Sequence, residues 1–434
     1  MSEQKTKPEN VFRSRNFRLV YFGALVSDLG AVLYSFAVSF YILEISANNA
    51  FLQGLYLAVC GAALLVSTPF GGVLGDRFNK AKIMFICDYL KGGMILLAVA
   101  GMLWMKQPAA HIAILFMIGI LGNIVSGIFS PAASALLPHI VAEEKLQQAN
   151  AYYSIKNALQ NIFGIVLAGI MYSALPVTIL FCVVGVCYLI SGLSEMFIRY
   201  QHVPGGEKLT LRIVFGDMGE GMKYLRTQKA IMAMMGAILF INFFSTPIYG
   251  NFIPYFVKTD IAGASSYLFD NILTPELWSS VFNVLFGISS LIGSVILSSR
   301  ETEKNIGRKT AFRVCDMAGL MIMLSVAYWF LIARNSSLNL FLILFCLAIC
   351  LTGFLLAFVN IPLNTTLMRV VDRNMLSKVS GIISVLSQGL TPIASVLAGV
   401  ILQWSGSAVL LMACSLGLAV SALSLLLNKD IRTI

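Results

Sequence analysis

Charge is scarce in this chain. Asp, Glu, Lys and Arg make up 12% of its 434 residues, apolar residues make up 58%, and the mean hydropathy is +0.84. A soluble domain carries about 25% charge, so a water-soluble enzyme is excluded. Disorder is excluded as well, because it requires low hydrophobicity. Histidine is nearly missing: His111, His139 and His202 fall in three separate loops, and no metal site is expected. The eight cysteines all lie within or at the ends of apolar runs, which leaves no external disulfide framework. There is no His-Glu-x-x-His, no Gly-x-Ser-x-Gly and no nucleotide-binding P-loop. These gaps speak against an intramembrane enzyme and an ATP-driven pump, and no cofactor is expected. Runs of alternating polarity about ten residues long are lacking too, which excludes a transmembrane β-barrel. Residues 1–16 are polar and the first apolar run has full span length, so no cleavable signal is expected.

What is present is a series of long uncharged runs: 31 residues between Glu44 and Asp76, 38 between Lys156 and Glu195, and 50 from Val379 to Asn428. At about 20 residues per span they predict an all-α integral membrane protein with twelve transmembrane helices. Gly, Pro and Asn breaks place these near 17–43, 51–75, 82–105, 111–137, 147–172 and 176–198, then 230–257, 276–299, 309–333, 338–368, 378–403 and 407–427. With both termini cytoplasmic, 25 of the 30 Lys and Arg fall on the inner side, three (Lys106, Lys258, Arg334) outside, and two (Lys91, Lys156) within spans. The net charge of +10 is then explained by topology and by attraction to anionic inner-leaflet lipid, not by nucleic-acid binding.

Between the sixth and seventh spans, residues 200–228 interleave Leu209, Ile213, Phe215, Met218, Met222 and Leu225 with Arg212, Asp217, Glu220, Lys223 and Arg226. This pattern predicts an amphipathic helix on the inner membrane surface, linking an N-terminal half (1–199) to a C-terminal half (229–434). The halves repeat. Gly122-Asn-Ile-Val-Ser-Gly-Ile-Phe-Ser-Pro131 aligns with Gly353-Phe-Leu-Leu-Ala-Phe-Val-Asn-Ile-Pro362, and Cys87-Asp88 recurs as Cys315-Asp316. Parallel six-helix repeats belong to one large class of transporters.

Gly72-Val-Leu-Gly-Asp76-Arg77-Phe-Asn79-Lys80, after the second span, resembles the Gly-x-x-x-Asp-Arg-x-Gly-Arg/Lys signature of the major facilitator superfamily, with Asn79 at the glycine position. A degenerate second copy ends Asn305-Ile-Gly307-Arg308-Lys309. Ser130-Pro-Ala-Ala-Ser-Ala-Leu-Leu-Pro138 and Ile361-Pro-Leu-Asn-Thr-Thr366 are similar to the branch holding macrolide-efflux proteins and the enterobactin exporter. Gly164-Ile165 stands where antiporters of this kind often carry Gly-Pro. The resemblance implies the major facilitator fold and transport by alternating access. It also gives Gly72, Asp76, Arg77 and Lys80 the role of an inner conformational lock; the plainer alternative is a charged turn that fixes topology.

Asp28 sits mid-span, where a carboxylate costs several kcal/mol unless hydrated, paired or protonated. It is a candidate coupling acid, a partner for a cationic substrate, or a helix-packing acid. Lys156 lies about 13 Å inside the fifth span, with Asn157 and Gln160 at helical spacing. These side chains either line a substrate cavity or, for Lys156, snorkel while the amides hold helices together. Asp88 and Lys91, spaced i,i+3, are expected to pair. Asn123, Asn242, Tyr249 and Asn364 are further cavity candidates, though aromatic stripes in spans also face lipid.

The expectation is a monomeric secondary active transporter in the cell membrane. Its cargo would be a hydrophobic or amphipathic small molecule (drug, macrolide or siderophore-like), and a proton or other cation would drive export. A lipid or lysophospholipid flippase of the same fold is the alternative, and a membrane receptor or scaffold a remote one.

Overall fold

The computed structural model describes residues 11–142, 145–199, 216, 219, 223, 225, 227–298, 306–332, 337–370 and 387–427. Most of the 200–228 linker lies outside the described residues. The first six spans are α1 (Arg15–Ile45), α2 (Ala50–Arg77), α3 (Lys80–Trp104), α4 (Pro108–Ile140), α5 (146–174) and α6 (Val177–Met196). The second six are α7 (229–261), α8 (Pro275–Ser298), α9 (Ile306–Leu331), α10 (Leu338–Val370), α11 (391–405) and α12 (407–427).

Among the described residues, ten helices are long and apolar enough to cross a membrane. One of them is a hairpin of two spans, α11 and α12, broken only at Gly406 (φ +81°, ψ 174°). The twelfth span, α7, is interrupted: Pro247 removes a backbone donor, and π-turns follow at Ile248–Phe252 and Val257–Ile261. A third π-turn, Gln160–Gly164, breaks α5 where Gly164-Ile165 stands in for Gly-Pro. The expected twelve-helix architecture is therefore present. Asn79 explains its own departure from the glycine signature: its φ of −61° needs no glycine, and its side chain accepts a hydrogen bond from the Lys82 amide, capping α3.

Two compact units emerge from the packing. The first holds the described residues of Met1–Ser35, Val66–Gln160 and Pro176–Leu211. Within it α3 packs along α6 and α4, over a core of Val20, Ala81, Met84, Ala132 and Leu136. Small residues let the helices approach closely: a Cβ on Gly127 of α4 would stand 2.0 Å from the Ser67 hydroxyl of α2.

The second unit holds Phe36–Leu65, Asn161–Leu175 and the described residues of Arg212–Ile434. Its core is aromatic: Phe252, Phe256, Phe282, Phe341 and Phe345 are fully buried, with the Phe282 and Phe345 rings edge-on at 4.7 Å. The aromatic stripe of α7 thus faces neither lipid nor a cavity at Phe252 and Phe256, because α8, α9 and α10 close over it. In the same unit α2 meets α11 so closely that a Cβ on Gly54 would lie 2.4 Å from the Ser395 carbonyl oxygen, and one on Gly399 2.6 Å from that of Ala50.

Gly399→Val should therefore overpack this crossing and cost about 1–3 kcal/mol. A lowered unfolding midpoint in detergent checks this. Gly93→Ala, where an added Cβ meets nothing within 4 Å, should be neutral or slightly stabilising.

Candidate substrate cavity and distal clasp

A cavity of about 540 Å³ opens within the first unit. α1 contributes Ser27, Asp28 and Ala31; α3 contributes Asp88 and Lys91; α4 contributes Ser126, Phe129 and Ser130. α5 supplies Asn150, Tyr153, Lys156 and Asn157, and α6 supplies Tyr188. The small-residue face of α4 divides its labour: Ser126 and Ser130 line the cavity, while Gly127 packs on α2.

Asp28 and Lys156, 128 residues apart, form an ion pair at the cavity wall. Lys156 is 3% exposed and Asp28 44%, so the cation is enclosed and the carboxylate faces the opening. The Lys156 ammonium also lies 5.1 Å from the Tyr153 ring centroid. Lys156 does not snorkel to the surface, because Asp28 compensates it at depth. Gln160, in the α5 π-turn, donates to the Leu25 carbonyl at 3.1 Å and ties α5 to α1 beside the pair. The expected Asp88–Lys91 pair is not a direct contact: Lys91 sets its ammonium over the Phe129 and Tyr188 rings, at 5.4 and 5.2 Å, and feels the Asp88 carboxyl only through space.

The other candidates lie elsewhere. Asn123 donates to the Gly119 carbonyl of its own helix, and Asn242 to the Ser387 carbonyl. Tyr249 sets its ring 5.3 Å from that of Phe286. The side chain of Asn364 lies outside the described residues, as do those of Gly72, Asp76 and Arg77 at the end of α2. Lys80 is buried at the first position of α3.

Sequence reasoning missed a clasp in the second unit, at the end of the bundle where α1 joins α2 (the distal end). Lys258 of α7 reaches Glu44 of α1 at 3.2 Å and Glu276 of α8 at 2.9 Å. Tyr172 of α5 donates to Glu44 at 2.8 Å, and its ring lies 5.7 Å from the Lys258 ammonium. The Ala50 amide donates to Gln403 of α11 at 2.9 Å. Segments from both sequence halves are thereby bound at one end. The available signal was Lys258 itself, one of few cations on the side that otherwise lacks them. A second cavity of about 690 Å³, with Asp260, Thr259, Tyr328 and Ser407 in its wall, lies in the same unit.

The family model described as Major Facilitator Superfamily matches residues 20–395. The chain belongs to the Major Facilitator Superfamily. Among relatives, it is 25% identical over 303 residues to the MFS-type transporter YkuC of Bacillus subtilis, covering 66% of this chain and 65% of that one. It is 24% identical to the macrolide efflux protein A of Streptococcus pyogenes over 221 residues, covering 50% and 53%. The chain thus spans between about half and two thirds of the length of these relatives. Among solved structures, a bacterial homologue of the iron transporter ferroportin superposes with a TM-score of 0.69 at 16% identity, covering 95% of this chain and 99% of that one. This likeness establishes the fold. The protein is accordingly a multi-pass membrane protein of this superfamily.

Two outcomes follow for this family member. Asp28→Asn strands an enclosed ammonium and should destabilise the protein by about 1–3 kcal/mol, whereas Asp28→Asn combined with Lys156→Met should recover most of the loss. Thermal unfolding of the three purified proteins checks this. Lys258→Ala should raise the labelling rate of a cysteine placed at Ala50 about fivefold, the population change expected from ~1 kcal/mol of released ion pairing. A water-soluble maleimide in a cysteine-depleted background reads it, and an unchanged rate removes the clasp from the gating of this end.

Proposed function

We propose that this transporter exports small amphipathic molecules across the cell membrane in exchange for protons, as a monomer. The observation that carries this reading is the cavity: Met84, Phe129, Leu137 and Tyr153 stand in its wall beside serine and asparagine side chains, around the Asp28–Lys156 ion pair. An amphipathic substrate can lay its apolar body on Phe129 and Tyr153, while its polar group competes for Lys156 or Asp28. Opening that pair gives substrate binding a route to the charge balance of the first unit. Relatives named for macrolide efflux and enterobactin export support the direction and the substrate class. The distribution of Lys and Arg supports cytoplasmic termini, with Lys258 among the three cations of the outer loops and the Gly72–Lys80 signature in an inner one. Closing one end while the other opens is the requirement of alternating access. One proton moving down 100 mV supplies about 2.3 kcal/mol for the uphill step.

The test is reconstitution into proteoliposomes with an imposed pH gradient and a panel of macrolides, siderophores and lysophospholipids. Accumulation of a macrolide or siderophore that collapses with a protonophore is the expected result. Lysophospholipid movement indifferent to the pH gradient, with no uptake of the other compounds, would establish the flippase alternative instead.

A further inference from the structure

Behind the cavity, the first unit carries an acidic residue too many. Asp28, Asp88 and Glu195 face two lysines, Lys91 and Lys156. Lys156 is committed to Asp28. Asp88 and Glu195 are each 1% exposed, and among the described residues no ammonium forms a direct ion pair with either carboxyl. Ser191, one turn before Glu195 on α6, is fully buried beside Asp88, and its hydroxyl is the one donor directed at that carboxyl. The helices close tightly around these groups: a Cβ on Gly23 of α1 would lie 3.5 Å from Glu195 Cγ and 3.4 Å from Ser191 Oγ. The groups that face the two carboxyls are Asp28 from α1, Cys87 and Lys91 from α3, and Tyr188 from α6, with Tyr153 and Lys156 of α5 beyond Asp28.

Two ionised carboxylates with a single hydroxyl donor beside them cannot share such a site with a single free ammonium, since each uncompensated charge in a low-dielectric interior is strongly disfavoured. Lys91 balances one of them. The other is neutral only when it holds a proton. We propose that Asp88 and Glu195 share one exchangeable proton and form the seat of the proton transported in the cycle. The inference rests on the proton-coupled reading above and moves the coupling site one layer behind Asp28. Asp88 lines the cavity, whereas Glu195 occupies the last turn of α6, so the pair runs from the cavity wall toward the α6 C-terminal end. In the transfer an O–H bond on Asp88 breaks as one forms on Glu195, with the Ser191 hydroxyl placed to relay it; the charge of the pair is unchanged. Release of the proton leaves a net negative charge that a cationic or newly freed group at the cavity, such as Lys156 unpaired from Asp28, can offset.

Infrared titration of the purified full-length protein tests occupancy without any substrate. Wild type should show a protonated-carboxyl band that bleaches as pH rises. Glu195→Gln and Asp88→Asn should each abolish that band, because either change leaves the remaining carboxyl balanced by Lys91. Lys91→Met should roughly double it. Glu195→Asp and Asp88→Glu, which keep the acid, should retain the band at a shifted midpoint and stand in if an amide variant does not fold. A missing wild-type band, or one that survives in either amide variant, overturns the shared proton. Transport tests coupling separately, with erythromycin as the probe in proteoliposomes. Glu195→Gln should lose pH-driven accumulation to background while retaining exchange without a gradient. Full accumulation by that variant removes the pair from coupling even if wild type is proton-driven. Absence of pH-driven uptake in wild type, with the infrared pattern intact, defeats the coupling reading and leaves the shared proton standing.

Discussion

A charged side chain at membrane depth must find its compensation within the protein, because neither lipid nor a packed helix interface supplies any. The first unit is organised around this constraint. Lys156 is enclosed, and its charge is tolerable only because Asp28 stands against it from another helix. Lys91 solves the same problem differently, with its ammonium over two aromatic rings and the Asp88 and Glu195 carboxyls as countercharge without a direct ion pair. The walls of the cavity are therefore the walls of an electrostatic balance, and anything that enters with a charge or strong hydrogen-bonding group must alter it.

The second unit relies on shape more than charge. Its interlocked Phe rings form a stiff aromatic core, and Gly54 and Gly399 bring α2 and α11 to backbone contact. Around that contact the Lys258 interactions are partly exposed and individually weak. Strong packing inside and modest ion pairs at the rim suit an end that must hold together and still come apart. Larger buried pairs there would make opening too costly.

The twelve spans, the repeat and the family were legible because lipid imposes a simple rule on composition: an uncharged run of about 20 residues is visible in any sequence. The cavity was legible in part. Asp28, Lys156 and Asn157 stood out as polar groups in apolar runs, and the structure gathers all three. Partners were not legible, since the Asp28–Lys156 pairing spans 128 positions of chain. The short-range rule failed for Asp88 and Lys91: neighbouring positions on a helix permit contact, but the long lysine stem instead carries its charge to Phe129 and Tyr188. The carbonyl partners of Asn123 and Asn242, on Gly119 and Ser387, were not legible either. Glu195 sits at the edge of an uncharged run, where a charge normally marks the exit from the membrane, and its burial depends on Gly23 lying across from it.

The connection between α11 and α12 is a single residue, Gly406, in a conformation that residues with a side chain rarely adopt. Such a joint has no slack. α11 presses against α2 at the distal end, while α12 contributes Leu410, Leu411, Cys414 and Leu418 to the aromatic core. The two arms therefore share a single joint, and the length of chain between them is fixed at that glycine. Length is what matters in that joint: a few inserted residues would leave every contact of both helices intact and still uncouple the rim from the core.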